Sequence, residues 1–218
     1  MRHQQPTILY EDNHILAVNK PSGWLVQGDD TGDMPLSDWV KSYIKKKYNK
    51  PGDVYLGVLH RIDRPVSGIV LFARTSKAAV RMSKALQTHE IKKYYSAEIA
   101  GYPPAESGTL EHHITRNETN NTAKAHIKAT PQSKPAKLEY RVIEKRASST
   151  LIEILLHTGR HHQIRAQMAA IGCAIVGDLK YGYPKPNSDS SINLHACKVV
   201  FQHPVKQEDI EIKVPSRF

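Results

Sequence analysis

The stretch that decides the reading is His60-Arg61-Ile62-Asp63-Arg64-Pro65-Val66-Ser67-Gly68-Ile69-Val70-Leu71-Phe72-Ala73. Its second half, from Gly68 to Ala73, is a short apolar run and predicts a buried strand. The first half is polar and does not continue it. Pro65 disfavours the right-handed helical region at Arg64, so this part is a loop rather than a helix interior. Gly68 allows close backbone packing or an unusual torsion where loop and strand meet. Asp63 lies between Arg61 and Arg64, and two neighbouring guanidiniums favour its ionised form, which only accepts hydrogen bonds. A salt-bridged surface turn and a reactive carboxylate are both consistent with this pattern.

Working outward, Asn13 to Lys20 predicts a strand ended by Pro21-Ser22-Gly23, and Val54 to Leu59 predicts another. Leu36, Trp39, Val40, Tyr43 and Ile44 follow helical spacing, with Asp33 as a candidate cap. Ser76 is the expected N-cap of a helix running to about Thr88. Ile91 to Ile99 is a further strand, stopped by Gly101-Tyr102-Pro103-Pro104. The middle, about Ser107 to Pro135, is polar, basic and rich in Asn and Thr, and reads as short strands with long loops or a mobile insertion. Leu138, Tyr140 and Val142 alternate as in a half-buried strand, and Leu151 to Leu156 adds another. His161 to Ile171 fits a helix stopped by Gly172. Leu194 to Phe201 and Ile210 to Val214 supply the last strands. Strands outnumber helices without alternating with them, which predicts an α+β fold with a mixed, mostly antiparallel sheet.

The chain has 218 residues, a length that suits one domain, and 39% of them are hydrophobic, enough for a core. No apolar run approaches the ~20 residues of a membrane span. Met1 to Pro6 holds no apolar stretch that would serve as a secretion signal. The two cysteines, Cys173 and Cys197, are too few for a disulfide framework, and reduced thiols in a cytoplasmic protein are expected. The formal net charge is +10. Val40 to Lys50 carries five lysines and no acid, and His112 to Arg146 carries eight Lys/Arg against three Glu. Basic surface of this kind neutralises phosphates and releases counterions.

Two further clusters bear on chemistry. Thr158-Gly159-Arg160-His161-His162-Gln163-Ile164-Arg165 combines a turn with donors at the start of a helix, where anions are favoured. A zinc site built on His157, His161 and His162 fails, because Gly159 interrupts the helix and neither carboxylate nor cysteine completes a tetrahedral set. Ile91 to Glu98 interleaves Tyr94 and Tyr95 with Lys92 and Lys93, a mixture suited to base stacking and phosphate contact. On a strand, Tyr94 and Tyr95 face opposite sides. Phosphate-loop, dinucleotide, zincin and serine-hydrolase signatures are missing from the sequence.

The segment from His60 to Ala73 resembles the catalytic motif of the RluA-type RNA pseudouridine synthases. Ile15 to Gly23 resembles that family's opening strand and turn, and Lys93 to Ala97 its Lys/Arg-x-Tyr-x-Ala strand. Thr158 to Arg165 and Ile175 to Gly182 resemble its C-terminal motifs, and all five fall in the family's order. Ile62, Val66, His161 and Ala166-Gln167 depart from the usual residues without removing a catalytic group.

The resemblance implies an enzyme that isomerises uridine inside ribosomal or transfer RNA, without metal or organic cofactor. Residues 1–218 would form a single catalytic domain, with no separate N-terminal RNA-binding domain. Asp63 would be the catalytic carboxylate, acting as a nucleophile at sugar or base or as a base toward a ribose proton. Tyr95 would stack on the flipped uracil, Arg165 would pair with Asp63, and Ile164 would pack beside the base. Arg61 would fill the space vacated by the uridine. Arg64, Arg160 and the lysines Lys45, Lys46 and Lys47 are further candidates for RNA contact. A monomer is expected, with neither DNA nor membrane as partner. A non-catalytic RNA-binding protein or RNA chaperone would explain the charge but not Asp63, since a carboxylate weakens a phosphate groove. A cofactor-free glycoside or nucleoside hydrolase would need paired carboxylates.

Overall fold

The computed structural model describes residues 4–218. The reading of the extreme N-terminus falls partly on residues 1–3, outside the described residues. In chain order the elements are β1 (Thr7–Glu11), β2 (Ile15–Lys20), α1 (Leu36–Lys47), β3 (Gly57–Val58), β4 (Ser67–Ala73), α2 (Ser76–Gln87) and β5 (Lys92–Ala100). Then come β6 (Ser107–Asn117), β7 (Thr122–His126), β8 (Lys134–Lys145), β9 (Ser149–Leu156), α3 (Gln163–Ala170), a single 3-10 turn (Leu179–Tyr181), β10 (Leu194–Gln202) and β11 (Asp209–Lys213). The fold class is α+β with a mostly antiparallel sheet, as expected.

The chain divides into two compact units, one running to Ile91 and including Ala196–Pro215, the other comprising Lys92–His195 and Ser216–Phe218. In the first, the strand order is β1-β2-β4-β10, with β3 on β4 and β11 on β10. β2 and β4 run antiparallel, Ile15 opposite Ala73 and Lys20 opposite Gly68. Both faces of this pair are buried, which is why both strands are almost wholly apolar. One face, with Ile15, Ala17, Ile69 and Leu71, packs with Ala78 and Met82 of α2 and with Val199 and Phe201. Gly68 is required where it stands: its φ is +116°, and a Cβ there would collide with the Ala196 backbone.

In the second unit the order is β5-β9-β8-β6-β7, every neighbour antiparallel. The polar middle is not a run of long loops. It forms the extended strand β6, a short connection through Glu118–Asn121, and β7 paired along its whole length. Ile114, Ala123, Ala136 and Ala166 make a small core beneath it.

Four local expectations are corrected. Asp33 does not cap α1: Pro35 holds the N-cap position, and Asp33 pairs with Arg64 instead. The cap of α2 is Thr75, whose hydroxyl accepts from the Ala78 amide, one residue before Ser76. His161 and His162 precede α3, which starts at Gln163 because His162 is left-handed, at φ 49°. The strand expected over Val54 to Leu59 shrinks to Gly57–Val58.

Candidate active site

Asp63 sits in a loop held from both sides. Its neighbours Ile62 and Val66 are buried, Asp63 is half-buried and Arg61 is exposed. Apolar anchors on either side therefore fix a carboxylate at the edge of solvent. The Val66 amide donates to the Asp63 carbonyl at 3.0 Å, closing a turn. The Gly23 amide donates to the Arg64 carbonyl at 2.8 Å, and Arg64 Nε returns a bond to the Gly23 carbonyl at 3.1 Å. Arg64 Nη2 is 2.5 Å from Asp33, so its charge is shared with that carboxylate.

Beneath the loop lies Lys20, which is fully buried. Its Nζ donates to the carbonyls of Trp24 at 2.8 Å, Pro21 at 3.0 Å and Arg64 at 3.2 Å. Burial pulls its pKa down to about 7, Arg64 adds to that, and the Asp63 carboxylate opposes it. Sequence reading missed this lysine. The one available signal is its place at the end of an otherwise apolar strand, directly before Pro21-Ser22-Gly23.

The other candidate residues belong to the second unit. Tyr95 is buried on β5 and Tyr94 half-buried, on opposite faces as expected. Ile164 and Arg165 are buried in the first turn of α3. Arg165 Nε and Nη2 grip the two oxygens of Asp178 at 2.6 and 2.8 Å, a bidentate pair with both side chains almost wholly buried. The Arg165 guanidinium also lies over the Tyr181 ring, 4.8 Å from its centroid. The Tyr181 hydroxyl accepts the Ala123 amide at 2.7 Å and meets His162 Nδ1 at 2.8 Å. Burial depresses the His162 pKa, with Arg165 adding to it, and keeps this imidazole neutral. Neither Asp178 nor Tyr181 was given a role from sequence, although both lie in the quoted stretch from Ile175 to Gly182.

The turn before α3 is less open to anions than expected. The Arg160 amide and the Thr158 hydroxyl both donate to Gln163 Oε1, at 3.0 and 2.8 Å. The Arg160 side chain is anchored on the Pro135 carbonyl at 2.9 Å. Among the basic candidates on α1, Lys45 and Lys46 are exposed, while Lys47 is bound by Glu11 at 2.6 Å and by the Tyr43 hydroxyl at 3.0 Å. Among the described residues no group of His, Cys, Asp or Glu is arranged to hold a metal ion.

The sequence profile described as RNA pseudouridylate synthase matches residues 14–170. Ribosomal large subunit pseudouridine synthase C of Vibrio cholerae is 31% identical over 95% of this chain, and synthase D of Yersinia pestis is 34% identical over 94%. The chain spans 65% of the length of each of these relatives. In fold it is similar to human RNA pseudouridylate synthase domain containing 4, with a TM-score of 0.80 at 20% identity over 96% of this chain and 88% of that one. Human RNA pseudouridylate synthase domain containing 1 is similar at a TM-score of 0.75 and 24% identity, over 98% of this chain and 84% of that one.

Proposed function

The chain belongs to the RNA pseudouridylate synthase family, and on that premise we propose that it isomerises uridine in structured RNA to pseudouridine. The names of its bacterial relatives favour ribosomal RNA as the substrate, with transfer RNA as the second class. The observation that carries the reading is the Asp63 loop. A half-buried carboxylate stands on a loop anchored by buried neighbours and by a buried lysine that binds the Arg64 carbonyl, an expensive arrangement for a surface turn.

In the proposed reaction the bond from ribose C1′ to uracil N1 breaks, the base turns, C1′ joins C5, whose hydrogen leaves as a proton, and N1 takes up a proton from solvent. Atoms balance without a cofactor. Asp63 is the catalytic carboxylate, Tyr95 stacks on the uracil, and Ile164 packs beside it. Arg165 is the buried cation of the reaction centre. Its grip on Asp178 fixes the guanidinium's orientation. A target base must leave its stack, at a cost of a few kcal/mol. The exposed Arg61 is our candidate to occupy the vacated space. Lys45, Lys46 and Arg160 are assigned to the RNA backbone, whereas Arg64 and Lys47 are held by Asp33 and Glu11 and serve the local structure. We place the protein in the cytoplasm as a monomer. A content of two cysteines suits a reducing compartment, and among the described residues no helix is long and apolar enough to cross a membrane.

Tritium release from RNA labelled at uracil C5 tests the reading, because forming a carbon–carbon bond at C5 frees that hydrogen. Total RNA from cells lacking this protein is the substrate and Asp63→Asn the control. The wild type should release tritium, and Asp63→Asn should lose at least ~1,000-fold in rate, the scale of removing a group that acts at the reacting atoms, while still binding RNA. Equal release by both proteins would overturn the role of Asp63. RNA binding without release by either would favour a non-catalytic RNA-binding protein.

A further inference from the structure

We propose that Lys93, together with the turn at Gly159–Arg160, is a subsite for a backbone phosphate of the RNA next to the uridine that stacks on Tyr95. The inference rests on the proposed activity and adds a contact to it.

The argument starts from the period of β5. Lys93, Tyr95, Ala97 and Ile99 share one face of the strand, and the last three are buried. Lys93 ends that row half-buried, at the rim of the face that carries the proposed stacking residue. Its environment is unlike that of the other engaged lysines in this unit. Lys137 has Glu111 at 2.9 Å and Lys145 has Glu106. The Lys93 ammonium has no hydrogen bond or ion pair among the described residues, and burial, with no opposing carboxylate, draws its pKa down. A half-buried ammonium without a counter-ion costs stability. An anionic ligand would supply the missing charge.

The surroundings leave room for one. Lys93 Nζ lies 3.7 Å from the position a Cβ on Gly159 would take, so the absence of a side chain there bares one flank of the ammonium. Next along the chain, Arg160 donates its Nε–H to the Pro135 carbonyl and has no carboxylate partner among the described residues. Lys93 thus lies against a position bare of side chain, with Arg160 the next residue along the chain. Lys93 and Tyr95 are two residues apart, about 7 Å along a strand. That is the reach from a stacked base to a phosphate of its own nucleotide. A phosphate at Lys93 would fix the register of the strand on the protein without reading sequence.

The probe is a short single-stranded RNA with one uridine among adenosines, made with native phosphates or with one uncharged methylphosphonate on either side of the uridine. Binding is measured against salt for the wild type, Lys93→Met and Lys93→Arg. Lys93→Met should raise Kd about tenfold, one charge-assisted contact. It should also lower the salt slope by about 0.7. One of the two methylphosphonates should weaken the wild type about tenfold and leave Lys93→Met almost unaffected. Lys93→Arg should retain most of the affinity. Urea denaturation guards against misfolding, since Lys93→Met removes an uncompensated charge and should be at least as stable as the wild type. The inference falls if both methylphosphonates weaken Lys93→Met as much as the wild type, or if the salt slope does not move. Because this readout needs no turnover, failure of the isomerase reading would show separately, in the tritium assay.

Discussion

The Asp63 loop and the start of α3 each hold a charged side chain in a defined place, and they do so by different means. The loop is stitched by its backbone: Gly23 and Arg64 exchange bonds, and Lys20 gathers three carbonyls. At α3 the scaffold is made of side chains, with Arg165 gripped by Asp178, covered by Tyr181 and flanked by neutral His162. A backbone-held loop keeps its shape through many side-chain changes, whereas a buried ionic pair fails when one member is lost. The comparison therefore predicts that the α3 cluster is the more brittle of the two.

The largest expected effect follows directly. Asp178→Asn keeps the shape of the side chain and removes the charge that compensates a buried guanidinium. Breaking a buried pair from one side costs about 3–5 kcal/mol, which urea denaturation at neutral pH would read as a large drop in midpoint with an unchanged slope. Arg165→Met in the same protein should recover much of the loss, because the penalty belongs to the unpaired charge. A loss below ~1 kcal/mol for Asp178→Asn would break the comparison, placing the support of Arg165 elsewhere.

The two regions also differ in how far they could be read from sequence. The loop and strand from His60 to Ala73 were legible because the cues are local: an apolar run, a proline that bars helix and a glycine that permits a close approach. The sheet-forming apolar runs and both long helices were legible for the same reason. Lys20 was not, since lysine is seldom fully buried and its three acceptors are backbone atoms, one of them 44 residues away. Asp178 was hidden by the 13 residues that separate it from Arg165. The length of the β6–β7 hairpin's strands is hidden, and the segment reads as short strands with long loops or a mobile insertion, because the strands are half-exposed and Asn and Thr there fill positions that need no apolar side chain. Asp33 looked like a helix cap on local grammar, and a long-range partner, Arg64, claimed it.

The next effect is smaller and sharpens the loop side. Lys20→Met fits the same space but leaves three carbonyls without their donor, a cost of about 1–3 kcal/mol. Its pH dependence is diagnostic. The buried ammonium titrates near pH 7 in the folded protein and near pH 10.4 when unfolded. Below pH 7 both states carry the proton, and the burial penalty is fully present. As pH rises above 7 the unfolded state holds more protons than the folded one, so wild-type stability rises relative to Lys20→Met, by at most ~1.4 kcal/mol per pH unit. Urea midpoints at pH 6, 7, 8 and 9, compared between the two proteins, measure the divergence. A constant difference would mean that the carbonyls and Asp63 keep Lys20 charged throughout, and that the loop is held by an ion after all.

The smallest effect concerns what the α3 cluster does beyond holding Arg165. β7 is the edge strand of its sheet, and an edge amide has no ladder partner on its outer side. Tyr181 covers one such amide, Ala123, with the same hydroxyl that meets His162. Lys180 adds bonds from Nζ to the carbonyls of Asn120 and Asn121, at 3.4 and 3.3 Å, at the hairpin's tip. The Leu179–Tyr181 turn thereby ties the β6–β7 hairpin to the ring that lies under Arg165. Tyr181→Phe retains the ring and deletes the hydroxyl, so Arg165 keeps its cover while the hairpin loses one tie. The expected cost is about 1 kcal/mol, and amide exchange at Ala123 should quicken while that of the α3 interior stays as it was. If exchange quickens equally along α3, the hydroxyl supports the whole cluster, and its side-chain scaffold extends into the hairpin. If Ala123 does not respond, the hairpin is held by its own strand pairing, and the two regions are closer in kind than their hydrogen bonds suggest.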